Sequence, residues 1–291
     1  MANPAPARGG GRLGPGTEDK TQLASTEPFL WRGGNVGCLL VHGFTGTPFD
    51  MRFLGERLHA SGYTVHAVQL AGHATRVEEL EACQWHDWYR SVEEGVDTLA
   101  QHCQTQVAIG QSLGSLLALR LAYLRSQTVA ALVLLSSAFI LANPWPARLS
   151  GLFRVALPFL PSRFRYVRKS NGGSDIADPE ARRVNPGYAE MPLRGVIELL
   201  RLQREVRPLL TQIMQPALAI HGRQDHTAPL ENLALLQQTL PSLRATVVLP
   251  ESYHVVSVDV EKQRIAEEIL GFLGALGAGS KTDRQVDGRR L

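Results

Sequence analysis

Cysteine is scarce in this chain: three residues in 291, Cys38, Cys83 and Cys103, with neither metal-like nor redox spacing. An odd, low count fits a reducing compartment, and Cys38, inside an apolar run, reads as a small core residue. No apolar stretch is long and uncharged enough to span a membrane. The first 20 residues, rich in Gly, Pro and Ala, hold no apolar segment of a secretion signal. A cytoplasmic address without stable membrane insertion is therefore expected. The formal charge is only +3, from 30 basic and 27 acidic residues dispersed along the chain, so no nucleic-acid partner is expected. No phosphate-cradling G-x-x-x-x-G-K-[ST] or G-x-G-x-x-G follows a strand, and no histidine and carboxylate cluster has zinc spacing. No metal or organic cofactor is expected.

What is present is ordinary in bulk. Apolar residues make up 44% and charged residues 20%, as in a globular enzyme, and the length allows one large core or two modest ones. Residues 1–20 and 277–291 read as solvated tails. Between them, over 21–276, strands and helices alternate. Strands are expected at Pro28 to Trp31, Val36 to Val41, Tyr63 to Leu70, Val107 to Ile109, Val129 to Leu135, Ala217 to His221 and Ala245 to Leu249. Helices are expected at Met51 to Ala60, Glu79 to Gln101, Ser115 to Leu124, Leu193 to Ile213, Leu230 to Leu240 and Val258 to Leu276. Trp85, Trp88 and Tyr89 recur at helical spacing and read as core. This alternation predicts an α/β fold with a mostly parallel sheet covered by helices on both faces, binding its ligand beyond the carboxyl ends of the strands.

The stretch over about 139–191 breaks the alternation. It holds six prolines and an apolar piece at Leu149 to Leu160, and it follows a strand's carboxyl end. A small inserted cap is expected there, and its apolar residues favour a substrate with an acyl or other hydrophobic part.

Five residues carry the strongest chemical signal. Gly110-Gln111-Ser112-Leu113-Gly114 joins an expected strand to an expected helix. In that context G-x-S-x-G is a nucleophile elbow, a strained turn that lifts the serine above the sheet. A serine hydroxyl needs a base, and the base needs an orienting acid. Of nine histidines, His254 follows a late strand through a short loop, where the last member of the order Ser…Asp/Glu…His belongs. Asp225 lies in the turn after the preceding strand and is the expected acid, with Pro229 opening the next helix. His226 is the rival base, but its adjacency to Asp225 turns it elsewhere; His73 reads as structural. Two backbone donors for an oxyanion are expected, one from Leu113 and one from Phe44 in the loop His42-Gly43-Phe44-Thr45-Gly46-Thr47-Pro48.

With these motifs in place, and with Leu70-Ala71-Gly72-His73 and Ser252-Tyr253-His254-Val255 beside them, the chain resembles the α/β-hydrolase superfamily. Within it, the bacterial carboxylesterases and monoacylglycerol lipases are most similar, from about Phe29 to Leu276. The resemblance implies an α/β-hydrolase fold, Ser112 as nucleophile, Asp225 and His254 as its partners, and Phe44 with Leu113 as oxyanion donors. It implies hydrolysis of short- to medium-chain acyl esters or monoacylglycerols through an acyl-enzyme. Two positions depart from the family pattern: Gln111 stands where an apolar residue is frequent, and Ser115 where glycine often follows the elbow. The rival readings are another reaction on the same triad (C–C, thioester or amide hydrolysis, or perhydrolysis) and a ligand-binding module without catalysis.

Overall fold

A computed structural model describes residues 25–143, 159–161, 164–169 and 173–277. Its centre is a sheet built from β1 (Phe29–Trp31), β2 (Val36–Val41), β3 (Thr64–Val68), β4 (Thr105–Gln111), β5 (Val129–Leu135) and two late strands, Ala217–Gly222 and Leu243–Leu249. The order across the sheet is β1, β3, β2, β4, β5, then the two late strands. Only β1 runs antiparallel, pairing Leu30 with His66 at the edge. The other pairings are parallel.

Both faces of this sheet are covered, which explains the continuous apolar runs in the central strands. In β2, Cys38 and Leu40 point to one face, while Leu39 and Val41 point to the other. The first face is closed by α1 (Phe49–Ala60) and by the last helix, Lys262–Ala275. The second is closed by α2 (Val77–Ala82), α3 (Trp85–Ala100), α4 (Leu113–Leu124) and two later helices, Leu193–Val206 and Glu231–Thr239. Trp85, Trp88 and Tyr89 are all buried in this second layer, so their helical spacing marked core packing. Cys38 is wholly buried too, and burial pushes its thiol pKa well up. Among the described residues, no helix is long and apolar enough to cross a membrane.

The structure redraws three expected helices. The run from Glu79 to Gln101 is two helices, because Cys83 and Gln84 are extended and Gln84 N–H donates to Asp87 Oδ2 (2.9 Å), starting a new helix. The helix after Leu193 ends at Val206 and continues as a 3₁₀ turn, Arg207–Gln212, where Pro208 has no N–H to offer. The last helix starts at Lys262 rather than Val258. The Asp259 carboxylate takes up the N–H groups of Tyr253, Ala177, Asp178 and Val260, which holds this chain outside a helix. Pro229 stands two residues before the helix Glu231–Thr239, and its carbonyl accepts Asn232 N–H.

Of the inserted region, the described part contains β6 (Tyr166–Arg168), α5 (Pro179–Val184) and β7 (Glu190–Pro192). β6 and β7 form a two-stranded antiparallel ribbon. Asp178 opens α5 by accepting Glu180 and Ala181 N–H groups, with Pro179 in the first helical position. The helices Leu193–Val206, Glu231–Thr239 and Lys262–Ala275 are α6, α7 and α8; the late strands Ala217–Gly222 and Leu243–Leu249 are β8 and β9. Residues 149–158 of the expected apolar piece and both expected tails, apart from Gly277, lie outside the described residues. Leu160 packs against Leu193 and Ile197 at the start of α6.

Candidate active site

Ser112 stands between the end of β4 and the first residue of α4, with φ 55° and ψ −114°. A non-glycine residue with this φ is strained, and the strain persists because the surrounding packing forces it. The two flanking glycines show how. A Cβ at Gly110 would lie 2.1 Å from Gly114 O, and one at Gly114 would lie 2.1 Å from Val41 O. Only glycine lets strand and helix close on each other here. Ser115 fits this crowding by donating its hydroxyl to Gly110 O (2.7 Å) and Leu135 O (3.1 Å), so the departure from glycine is satisfied internally.

The three side chains expected to work together do meet. His254 Nε2 is 2.9 Å from Ser112 Oγ, and His254 Nδ1 is 2.7 Å from Asp225 Oδ2. All three residues are buried. Asp225 lies just past β8, and its Oδ1 accepts Thr227 and Ala228 N–H groups at 2.9 and 2.7 Å. Its Oδ2 also faces His221 Nε2 at 3.3 Å. Burial opposes ionisation of Asp225, but the His254 charge and hydrogen bonds from His221, His254 and Ala228 outweigh it. The carboxyl is held well below the usual range. Burial likewise opposes the imidazolium of His254; the charge and hydrogen bond of Asp225, with help from Asp175, overcome this and raise its pKa.

His226 is bonded to Asp175 rather than to Ser112: its Nδ1 is 3.0 Å from Asp175 Oδ1. His73 is wholly buried, with Nδ1 near Ala71 O and its ring against His42, Phe44 and Trp88. It forms part of the support beneath the Phe44 loop. His42 orders that loop more directly. Its Nε2 accepts Leu70 N–H, so Nδ1 carries the proton given to Gly43 O (2.9 Å). Burial pushes its pKa down to about 4, which keeps this tautomer neutral.

Gly43 lies so near the elbow that an added Cβ would sit 3.2 Å from Ser112 Cβ. The next residue, Phe44, lines the same cavity as Ser112. Leu113 N–H belongs to the first turn of α4, where N–H groups have no partner inside the helix and the dipole favours negative charge.

Gln111, a neighbour with an ambiguous side chain in the sequence, is buried, and its Oε1 accepts Ser257 N–H (3.1 Å). Ser257 Oγ in turn donates to Asp50 O (2.6 Å). Gln111 therefore ties the turn after His254 to the elbow. Sequence reasoning missed Asp50 and Asp175 altogether. Asp50 is buried beside Thr47 N–H and Asn185 Nδ2 (3.2 and 2.7 Å), and burial raises its pKa despite these bonds. An aspartate in the first turn of a helix resembles an ordinary cap, so no local signal separated it. Across from it, burial pushes the Lys169 ammonium down to about 8, against the pull of Asp50 and Asp175.

A cavity of about 370 Å³ opens onto Ser112 and His254. Its lining combines apolar residues, Phe44, Leu141, Val167, Met191, Val196 and Leu199, with the polar Asp50, Lys169, Asp175, His226 and Thr227. Such a lining fits a ligand with both apolar and polar parts.

Comparison with known proteins finds a family match and several relatives. The profile of the family described as serine aminopeptidase, S33 (Hydrolase_4), matches residues 36–261. A thermostable monoacylglycerol lipase of Bacillus sp. (strain H-257) is 36% identical over 257 residues, covering 88% of this chain and 97% of that protein. A carboxylesterase of Bacillus subtilis (strain 168) is 26% identical, covering 88% and 99%. Among solved structures, one from work on the metagenome-derived lipolytic enzymes LipS and LipT superposes with a TM-score of 0.78. It is 30% identical and covers 87% of this chain and 99% of that one. A monoacylglycerol lipase from Paleococcus ferrophilus shares the fold, with a TM-score of 0.71 at 18% identity, covering 86% and 98%.

Proposed function

The chain belongs to the Hydrolase_4 (serine aminopeptidase, S33) family of α/β-hydrolase fold, and from that premise we propose that it hydrolyses carboxylic esters through an acyl-enzyme on Ser112. The observation that carries this reading is the hydrogen-bonded series Asp225, His254, Ser112, at 2.7 and 2.9 Å, opening onto a half-apolar cavity. The expected substrates are short- to medium-chain acyl esters or monoacylglycerols. The relatives named as monoacylglycerol lipase and carboxylesterase support that class.

In this reading His254 Nε2 accepts the Ser112 proton as Oγ attacks the ester carbonyl carbon. The resulting oxyanion is held by the N–H groups of Phe44 and Leu113. His254 then protonates the departing alcohol, leaving the acyl group on Ser112. Water repeats the sequence: His254 takes its proton, the oxygen attacks the acyl carbon, and Ser112 recovers its hydrogen. Asp225 keeps the proton of neutral His254 on Nδ1 and stabilises the imidazolium. The residues over 21–276 form the hydrolase domain, with the cap inserted at about 139–191. The three cysteines are free, in keeping with the cytoplasmic address proposed here.

A panel of p-nitrophenyl esters with lengthening acyl chains, together with monoacylglycerols, tests the substrate class. The expected result is turnover of short and medium chains with kcat/KM declining for long ones. A folded protein that turns over amides but none of these esters would overturn the proposal.

A further inference from the structure

The base and the acid of the site lie on separate loops, and one residue of the cap touches both. Asp175 sits between Gly173 and α5. Its backbone carbonyl accepts His254 N–H (3.1 Å) and Val255 N–H (3.0 Å). Its carboxylate accepts His226 Nδ1–H on Oδ1, and both His226 N–H and Thr227 Oγ1–H on Oδ2, each at 3.0 Å. His226 and Thr227 follow Asp225 directly, and Thr227 N–H is one of the two donors that hold Asp225 Oδ1. The carbonyl thus grips the base loop while the carboxylate grips the acid loop.

The segment is itself well anchored. Ile176 is wholly buried, and the next two N–H groups, of Ala177 and Asp178, go to the Asp259 carboxylate at 2.9 Å. The same carboxylate holds Tyr253 N–H (2.8 Å), the residue before His254. A cap that only covered the cavity would need apolar contact with its rim. This one instead spends an ionisable side chain, 14% exposed, on the two loops that carry the triad partners.

We propose that Asp175 is a positioning residue for the triad: it locks the Asp225 and His254 loops together and so holds the relay to Ser112 in register. The inference rests on the triad reading above. Asp175 touches no reacting atom; it acts through the loops and through its charge. The charged groups facing His254 are Asp225, from the loop after β8, and Asp175 and Lys169, both from the cap. Asp225 and Asp175 favour the imidazolium, whereas Lys169 opposes it. His226 faces Asp175 on its other side.

Asn at position 175 has the same shape but lacks the charge. One of its two polar atoms is a donor, so with its oxygen in the place of Oδ2 it no longer accepts from His226 Nδ1–H. On p-nitrophenyl butyrate, Asp175→Asn is expected to lower kcat about tenfold to a hundredfold, the scale of losing hydrogen bonds to a charged acceptor. KM should change little. In the wild type, kcat/KM falls as pH falls through the His254 pKa, because the base must be neutral. Removing a nearby negative charge lowers that pKa, so the acid limb of Asp175→Asn should move to lower pH. Asp175→Glu keeps the charge and should leave the limb in place while kcat falls. The exposed His226→Ala should also lower kcat, and the double variant should lose less than the product of the two single losses.

Wild-type kcat with an unmoved limb in Asp175→Asn, or a loss confined to KM, would overturn the inference. If that variant does not fold, wild-type kcat in His226→Ala overturns it instead. Ser112→Ala separates the premise from the inference. Ester turnover in that variant removes the triad reading; a silent Ser112→Ala beside a fully active Asp175→Asn removes this inference alone.

Discussion

Ser112→Ala is expected to lower kcat for ester hydrolysis by at least about 10⁴-fold while leaving the protein folded. The size follows from the chemistry. Ser112 Oγ is the hydroxyl bonded to His254 Nε2, and without it the imidazole has no nucleophile to deprotonate. The fold should tolerate the change because nothing else about the elbow depends on the hydroxyl. The backbone strain at φ 55° is set by Gly110, Gly114 and the closure of α4 on β4, and alanine meets the same strain as serine. Steady-state kinetics on p-nitrophenyl butyrate, with circular dichroism melting curves for both proteins, check the prediction. The expected outcome is a nearly unchanged melting curve beside vanishing turnover. Near-normal kcat in a folded variant would remove Ser112 from the mechanism.

Asp225→Asn is expected to have an effect of similar order, about 10⁴-fold on kcat, for a different reason. Oδ1 of Asp225 accepts two backbone N–H groups, so the oxygen of an asparagine would take that position. Its amide nitrogen would then replace Oδ2, facing His254 Nδ1 and His221 Nε2. An NH₂ donor toward Nδ1 reverses the imidazole tautomer. The proton moves to Nε2, the nitrogen that must accept from Ser112. The same donor meets His221 Nε2–H, which already donates to Ala228 O at 2.8 Å, so the acid loop is disturbed as well. Kinetics near neutral pH, with KM compared against kcat, give the readout. A loss of tenfold or less would mean that Asp225 is not the residue orienting His254.

Much of this site was legible because its chemistry follows chain punctuation. Strand, G-x-S-x-G and helix stand next to one another in sequence, and the close approach of Gly110 to Gly114 is a local event. Asp225 and His254 were found because each follows a strand that the apolar pattern marked. The central strands β2 and β5 were readable because both faces of the sheet are covered there, which makes them apolar almost throughout.

What was not legible depends on contacts between distant residues. The break at Cys83 and Gln84 turns on a backbone cap by Asp87 inside a periodic run that favours helix throughout. The late start of α8 depends on Asp259, whose buried carboxylate gathers N–H groups from the cap and from the loop before His254. No pattern around Asp259 announces partners some 80 positions away. Asp175 was passed over for the same reason: in sequence it is one polar residue in a polar loop. Gln111 was noticed but unexplained, since its partner, Ser257, is brought near only by the fold.

The cavity divides the substrate question along the same line. Among the described residues, its apolar lining is Phe44, Leu141, Val167, Met191, Val196 and Leu199, none of them in the apolar piece expected at Leu149 to Leu160. Its polar lining at Asp50 adjoins the contacts of Asn185 and Tyr188 with the segment that carries Phe44. Asn185 from the cap reaches Asp50 there, and Tyr188 N–H reaches Thr45 O at 2.9 Å. Residues between 167 and 191 thus both line the cavity and bond to the loop that carries Phe44.

The proposed reaction requires Ser112 to be a nucleophile activated by His254. A fluorophosphonate probe, which traps serine nucleophiles covalently, tests this most directly when the labelled protein is digested and its peptides are weighed. The expected result is a single phosphonylated peptide carrying the adduct on Ser112, with labelling lost in His254→Ala. A folded protein that takes no label, or takes it on another residue, would contradict the account.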